Sequence, residues 1–244
     1  MLFFYIRHGD PIYTPDSLTP QGELQAAALA KRLALYGIDR IYVSSSVRAQ
    51  QTAAPTAKLL GLEPETLDWA TEHLTWKDFA LKSPDHKKEH WVFQSAYYIR
   101  RFNSPEIRAL GANWTSAPEF ADTRFAEGIA RIQKETDVFF ASLGYVRDPV
   151  SGTYRVERPS GERIAFFAHQ GFGLAFLSCI LGIPYPHFCT HFDLGHSSMT
   201  VIEFREYDRE DVDPVCVPKV LQLSNDSHLY REGLPTKYNN RVFF

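Results

Sequence analysis

Apolar and polar positions fall into blocks that spell strands followed by helices. Residues 2–6 (LFFYI) form an unbroken apolar run that stops at Arg7 and His8, as a strand buried on both faces of a parallel sheet does. Thr19 then stands where a helix cap belongs, with Pro20 at the first helical position. Leu29, Leu33 and Tyr36 recur at i, i+4 and i+7 before Gly37 closes that helix. Residues 38–44 (IDRIYVS) read as a second strand, which runs through serines into a helix over 47–60 stopped by Gly61. Pro55 inside that helix predicts a kink or a break.

The pattern resumes late in the chain. A strand over 163–168 (RIAFFA) meets a tight turn at His169-Gln170-Gly171, and an apolar helix over 172–181 ends at Gly182. Further strands are predicted over 198–204 and 217–223, a helix over 127–143, and a hairpin over 145–157 around Asp148-Pro149-Val150-Ser151-Gly152. Strands alternating with helices across short links mean βαβ units. The predicted fold is therefore α/β: three layers, α/β/α, around a mainly parallel central sheet. Residues 73–118 break the pattern, with seven Lys and Arg against four acids and many aromatics. They read as a helical cap insertion over the edge formed by the C-terminal ends of the strands. With no repeat and no linker, residues 1–244 are expected to form a single domain.

Composition narrows the class without naming a task. A chain 44% hydrophobic and 14% aromatic can bury a large core, which excludes disorder and low complexity. A formal charge of −3 argues against nucleic acid or an anionic membrane as partner. No apolar run reaches the roughly 18 residues that a membrane span needs, and the N-terminus reads as a buried strand rather than a signal peptide. Cys179, Cys189 and Cys216 lack paired spacing, so a cytoplasmic protein is expected.

The chemistry gathers at strand ends. Arg7-His8-Gly9 follows the first strand, Arg48 lies in the first turn after the second, and His169 ends the RIAFFA strand. Ligands of open α/β sheets bind outside the carboxyl ends of the strands. Two arginine forks match the oxygens of a phosphoryl group. A neutral imidazole can attack phosphorus, and the phosphohistidine it forms is labile to water. The helix start under Arg48 adds backbone donors for an anion.

These pieces (FFYIRHGD, DSLTPQGELQAAALAKRL, IYVSSSVRAQQTA and IAFFAHQGFGLAFLSCILG, with the late LGHSSMTVIEF) resemble the histidine phosphatase superfamily, the phosphoglycerate-mutase-like proteins. The resemblance implies His8 as the nucleophile that becomes phosphorylated and His169 as a stabiliser of the transition state. It implies Arg7 and Arg48 as phosphate ligands, Gly9 as a point of close backbone approach, and the backbone at Gln170 as a further donor. It also implies an acid for the leaving oxygen. In LDWATEHLTWKDF that residue is Glu72, with Asp78 second and Glu119 or Asp122 open; the Gly and second Glu usual in this segment are missing. The loop Asp10–Asp16 is short and lacks the Asn that holds a bisphosphorylated substrate in the mutases. Hydrolysis is thus favoured, without cofactor or metal, on a phosphorylated small molecule. A phosphomutase and a non-catalytic phosphate-ligand binding protein are the alternatives, and a homodimer is left open.

Three features have two readings each. Tyr13, Lys87, Lys88, Arg100 and Arg101 either line the substrate pocket or are, respectively, a packed ring and solvated charges of the insertion. The insertion's aromatics either cap the site or form a small core of their own. His187, Cys189, His191 and His196 (HFCTHFDLGH) invite a zinc reading, yet there is no HExxH and the segment reads as a loop entering a strand.

Overall fold

Strand β1 (Leu2–Arg7) sends Phe4 and Ile6 into one core and Phe3 and Tyr5 into another, so both of its faces are covered. In this computed structural model, which describes residues 1–209 and 212–236, the rest of the chain is arranged around that strand. The expected 1–244 domain thus includes residues 210–211 and 237–244, which lie outside the described residues.

After β1 comes a short hairpin of β2 (Pro11–Tyr13) and β3 (Asp16–Leu18). Helix α1 (Pro20–Tyr36) follows, capped by Thr19 Oγ1, which accepts from Gly22 N at 3.0 Å, and closed by Gly37 in the left-handed conformation. Next are β4 (Arg40–Ser44), α2 (Val47–Leu60) and β5 (Glu65–Leu67). One helix runs through Pro55, where a kink or break was predicted. Gln51, whose carbonyl loses the i−4 hydrogen bond, is exposed to water, while Ala53 and Ala57 hold the helix against the sheet.

The insertion is not purely helical. Helix α3 (Glu72–Phe79) leads into an antiparallel hairpin of β6 (Ala80–Ser83) and β7 (His86–Trp91), then α4 (Ala96–Phe102) and α5 (Pro105–Leu110). Turn chemistry overrides the helical expectation. Asp85 follows Pro84 and accepts from the hydroxyls of Ser83 (2.6 Å) and Ser95 (2.8 Å) and from Tyr97 N (3.3 Å). Nor do its aromatics form a separate core: Phe79, Phe93, Phe102 and Trp114 join the same cluster as Phe166 and Phe172 of the central domain.

The remaining elements are α6 (Phe125–Ser142), β8 (Tyr145–Arg147), β9 (Tyr154–Val156), β10 (Arg163–Ala168), α7 (Gln170–Leu181) and α8 (Tyr185–His191). They are followed by β11 (Met199–Glu203), β12 (Glu206–Arg209), β13 (Val212–Cys216), β14 (Lys219–Asn225) and α9 (Ser227–Arg231). The six-stranded central sheet has the order β14-β11-β1-β10-β4-β5, with β1, β10, β4 and β5 parallel and β11 antiparallel to both of its neighbours. Helices α1 and α2 cover one face, and α6 and α7 the other. That is the three-layer, mainly parallel arrangement the sequence predicts. Among the described residues no helix is long and apolar enough to cross a membrane.

Candidate active site

Sheet register brings the two key histidines together. Arg7 pairs with Ala168 across β1 and β10, and His8 N donates to Ala168 O at 3.0 Å, so His8 and His169 leave the sheet side by side. Their ring centroids are 5.3 Å apart. Arg48 enters from the first turn of α2 beyond β4, and Glu72 opens α3 beyond β5. Four neighbouring strand ends therefore supply the site.

The backbone sets the protonation of His8. Its Nδ1 lies 2.7 Å from Gly9 O, which can only accept, so Nδ1 carries the proton and Nε2 keeps its lone pair. Burial, then Arg7 and His169, hold this imidazole well below its usual pKa, which keeps it neutral. Gly9 O thus sets the tautomer of His8. The Gly9 N–H is committed to Thr52 Oγ1 at 3.0 Å. A side chain at Gly9 would sit 2.8 Å from Gly22 O, so the close approach expected there is to helix α1.

Both guanidinium groups are held from behind. Arg7 Nη1 donates to Leu194 O (2.5 Å) and Nη2 lies 2.7 Å from His196 Nε2. Arg48 Nη1 pairs with Asp16 Oδ1 (2.8 Å), and Nη2 lies 3.2 Å from His169 Nδ1. Asp16 Oδ2 also accepts from Val47 N at 2.8 Å, and the Tyr13 ring lies 5.3 Å from the Arg48 guanidinium. The Nε atoms of Arg7 and Arg48 are buried donors with no acceptor among the described residues. Two cationic donors without acceptors, beside two imidazoles, suit a small oxyanion.

Glu72 is the acid of the cluster. Its Oε1 accepts from Gly171 N (2.9 Å) and Phe172 N (3.3 Å) in the first turn of α7, and its Oε2 lies 3.2 Å from His169 Nδ1 and 3.7 Å from Arg48 Nη2. Burial pushes its carboxyl above the ordinary range, against the opposing pull of Arg48 and Arg7. Arg48 can only donate, so His169 Nδ1 accepts and Nε2 donates to Ser44 Oγ at 2.8 Å. Burial, then Arg48 and Arg7, hold His169 neutral as well.

Other candidates lie elsewhere. Asp78 is consumed between Arg124 and Arg131, each at 3.0 Å, where α3 packs on α6. Glu119 pairs with Arg101, and Asp122 is exposed. The Gln170 side chain turns to Asp193. Two cavities flank that pair: one of about 500 Å³ walled by Arg7, Asp10 and His196, and one of about 540 Å³ walled by His90, Phe93 and His191. Lys87, Lys88, Arg100 and Arg101 line neither; Lys87 and Lys88 face solvent on β7 and Arg100 on α4. The zinc reading fails on geometry: Cys189 is buried against Pro186 O, His191 bonds the His187 carbonyl, and His196 bonds Arg7. Among the described residues, the one trio of His, Cys, Asp or Glu close enough to share an ion is His8, Glu72 and His169. The adjacent guanidinium groups oppose a cation there.

Sequence reasoning missed Asp16, Ser44, Tyr5 and the true place of His196. Tyr5 Oη donates to His169 O at 2.6 Å and accepts from His169 N at 3.2 Å. No local pattern announces any of these, because each partner is distant in the chain.

Comparison with known proteins gives the same family as the motifs. The profile of the histidine phosphatase superfamily (branch 1) matches residues 4–135. Among solved structures, phosphoserine phosphatase of Entamoeba histolytica superposes with a TM-score of 0.57 at 17% identity, over 93% of this chain and 98% of that one. A mycobacterial glucosyl-3-phosphoglycerate phosphatase gives 0.57 at 17%, over 91% and 98%. A protein of Escherichia coli K-12 described as a putative α-ribazole-5′-P phosphatase gives 0.55 at 16%, over 93% and 98%. At such identities the likeness is one of fold. Among curated sequences, a PE-PGRS family protein of Mycobacterium tuberculosis is 38% identical over 79 residues, covering 28% of this chain and 14% of that protein.

Proposed function

This chain belongs to the histidine phosphatase superfamily, branch 1, and on that footing we propose that it is a metal-independent phosphomonoester hydrolase acting through a phosphohistidine on His8. The observation that carries the reading is the Nδ1–Gly9 O hydrogen bond, which leaves Nε2 of a buried neutral imidazole bare beside two guanidinium groups with unpartnered Nε donors.

Arg7 and Arg48 bind the phosphoryl oxygens and turn the phosphorus toward His8. Nε2 attacks, the N–P bond forms, and the ester P–O bond breaks on the opposite side. Glu72, whose carboxyl burial raises toward the protonated form, gives its proton to the departing oxygen. The guanidinium groups stabilise the charge that spreads over the equatorial oxygens, and His169, accepting from Arg48, holds that guanidinium in place. Glu72, now a carboxylate, takes a proton from water as the water attacks phosphorus; the N–P bond breaks, and inorganic phosphate leaves with both Glu72 and His8 restored.

A small phosphorylated metabolite as substrate, a cytoplasmic location and a single domain over 1–244 belong to the same proposal. Assay of a phosphate-ester panel with chelator present tests it. The reading requires stoichiometric inorganic phosphate from at least one ester, undiminished by chelation. Isomerised ester without free phosphate would make the chain a mutase, and tight binding of esters without turnover would make it a binding protein.

A further inference from the structure

The strand that carries Arg7 does not hold its guanidinium; the loop before β11 does. Arg7 Nη2 lies 2.7 Å from His196 Nε2, and Nη1 donates to Leu194 O. Arginine has no acceptor, so His196 Nε2 must accept, and His196 is neutral with its proton on Nδ1. That Nδ1 faces Asp10 Oδ1 at 3.4 Å, and the His196 ring stands 5.8 Å from the His8 ring, centroid to centroid. Asp10 is anchored in turn: Thr19 Oγ1 donates to its Oδ2 at 2.8 Å, and its N–H donates to Gln25 Oε1 at 2.8 Å.

The neighbouring backbone is bent to the same purpose. Ser197, fully buried, has φ 55°, a conformation that side-chain-bearing residues rarely adopt. Its N–H donates to His8 O at 3.0 Å, and its hydroxyl lies 3.0 Å from His228 Nε2 on α9. One strained turn therefore fastens the nucleophile's backbone and the side chain of the arginine beside it. With two Nη contacts taken by the loop, the buried Nε–H of Arg7 is left without an acceptor among the described residues.

We infer that His196 is a positioning residue for phosphate recognition: a neutral acceptor, braced by Asp10, that turns Arg7 so that its Nε edge meets a phosphoryl oxygen. The inference rests on the reading of Arg7 as a phosphate ligand and adds a residue to it. The loop was visible in the sequence only as a run of histidines.

The test is calorimetric binding of inorganic phosphate to the full chain. His196→Leu, which cannot accept, should weaken phosphate binding by about 10- to 100-fold, the usual range for a hydrogen bond to a charged group. His196→Gln, whose Oε1 can accept from Arg7, should stay within about threefold of the wild type. In an Arg7→Met background, His196→Leu should add less than about threefold, because the two residues act as one unit. Equal losses in both backgrounds, or a Gln variant no better than the Leu variant, would overturn the inference. If His196→Leu prevents folding, the ¹⁵N spectrum of the wild-type His196 ring decides: a bare Nε2 supports the inference and a protonated Nε2 overturns it. Failure of the underlying reading looks different: the wild type would then bind no phosphate, or Arg7→Met would bind it as well as the wild type.

Discussion

Oε2 of Glu72 lies 3.2 Å from Nδ1 of His169, and that imidazole nitrogen is an acceptor because Arg48 already donates to it. That nitrogen's single lone pair is already engaged by Arg48, so a proton on Glu72 Oε2 has no full acceptor until a leaving oxygen arrives. The geometry sets Glu72 against the imidazole that accepts from Arg48.

Glu72→Gln cannot supply a proton. Loss of a positioned acid typically costs about 10²–10⁴-fold when the leaving group is basic. The expected outcome is a fall of that size in kcat on alkyl phosphates and of less than about tenfold on 4-nitrophenyl phosphate. Steady-state kinetics on the two esters checks it; equal losses would move the acid elsewhere.

The pH profile follows from two opposed shifts. His8 must be neutral to attack, and its pKa is lowered from 6.5, so activity rises with pH along a limb below that value. Glu72 must be protonated, and its pKa is raised from 4.5, so activity falls with pH along a limb above that value. The kcat/KM of the wild type on an alkyl phosphate should be bell-shaped between these limbs. Glu72→Gln should abolish the upper limb and leave the lower one in place. Persistence of the upper limb in that variant would contradict the assignment.

Gly171 is a steric requirement of the acid's position. A Cβ there would lie 2.4 Å from Trp91 Cη2 and 2.7 Å from Glu72 Oε1. Gly171→Ala should displace both groups, lower kcat on alkyl phosphates by about tenfold or more, and cost about 1–3 kcal/mol of stability. Kinetics and thermal melts on one preparation check both effects, and an unchanged kcat would show that Glu72 tolerates the shift.

Much of the frame can be read locally. The run LFFYI ending at Arg7-His8, the Thr19-Pro20 cap and the strand-end His169 each lie within or at the end of one element, so short-range pattern suffices to place them. The contacts that finish the site are long-range. Arg7 and His196 are 189 residues apart, Tyr5 and His169 are 164, and Ser44 and His169 are 125, with register rather than neighbouring sequence bringing them together. In the insertion, charge and aromatic content pointed to a cap with a basic lining. There the aromatics complete the main core, and a hairpin turned by Asp85 leaves Lys87 and Lys88 in solvent. Asp78 read as an acid to spare, and only the packing of α3 on α6 reveals the two arginines that occupy it.

The proposed reaction passes through a covalent phosphohistidine, which can be trapped directly. Wild-type protein mixed with a turned-over phosphate ester and chelator, then quenched in alkali, should carry one phosphoryl group on Nε2 of His8, visible by ³¹P NMR and peptide mass. His8→Asn should carry none and release no phosphate. Turnover with no trappable phosphohistidine, or with phosphate on another residue, would contradict the account.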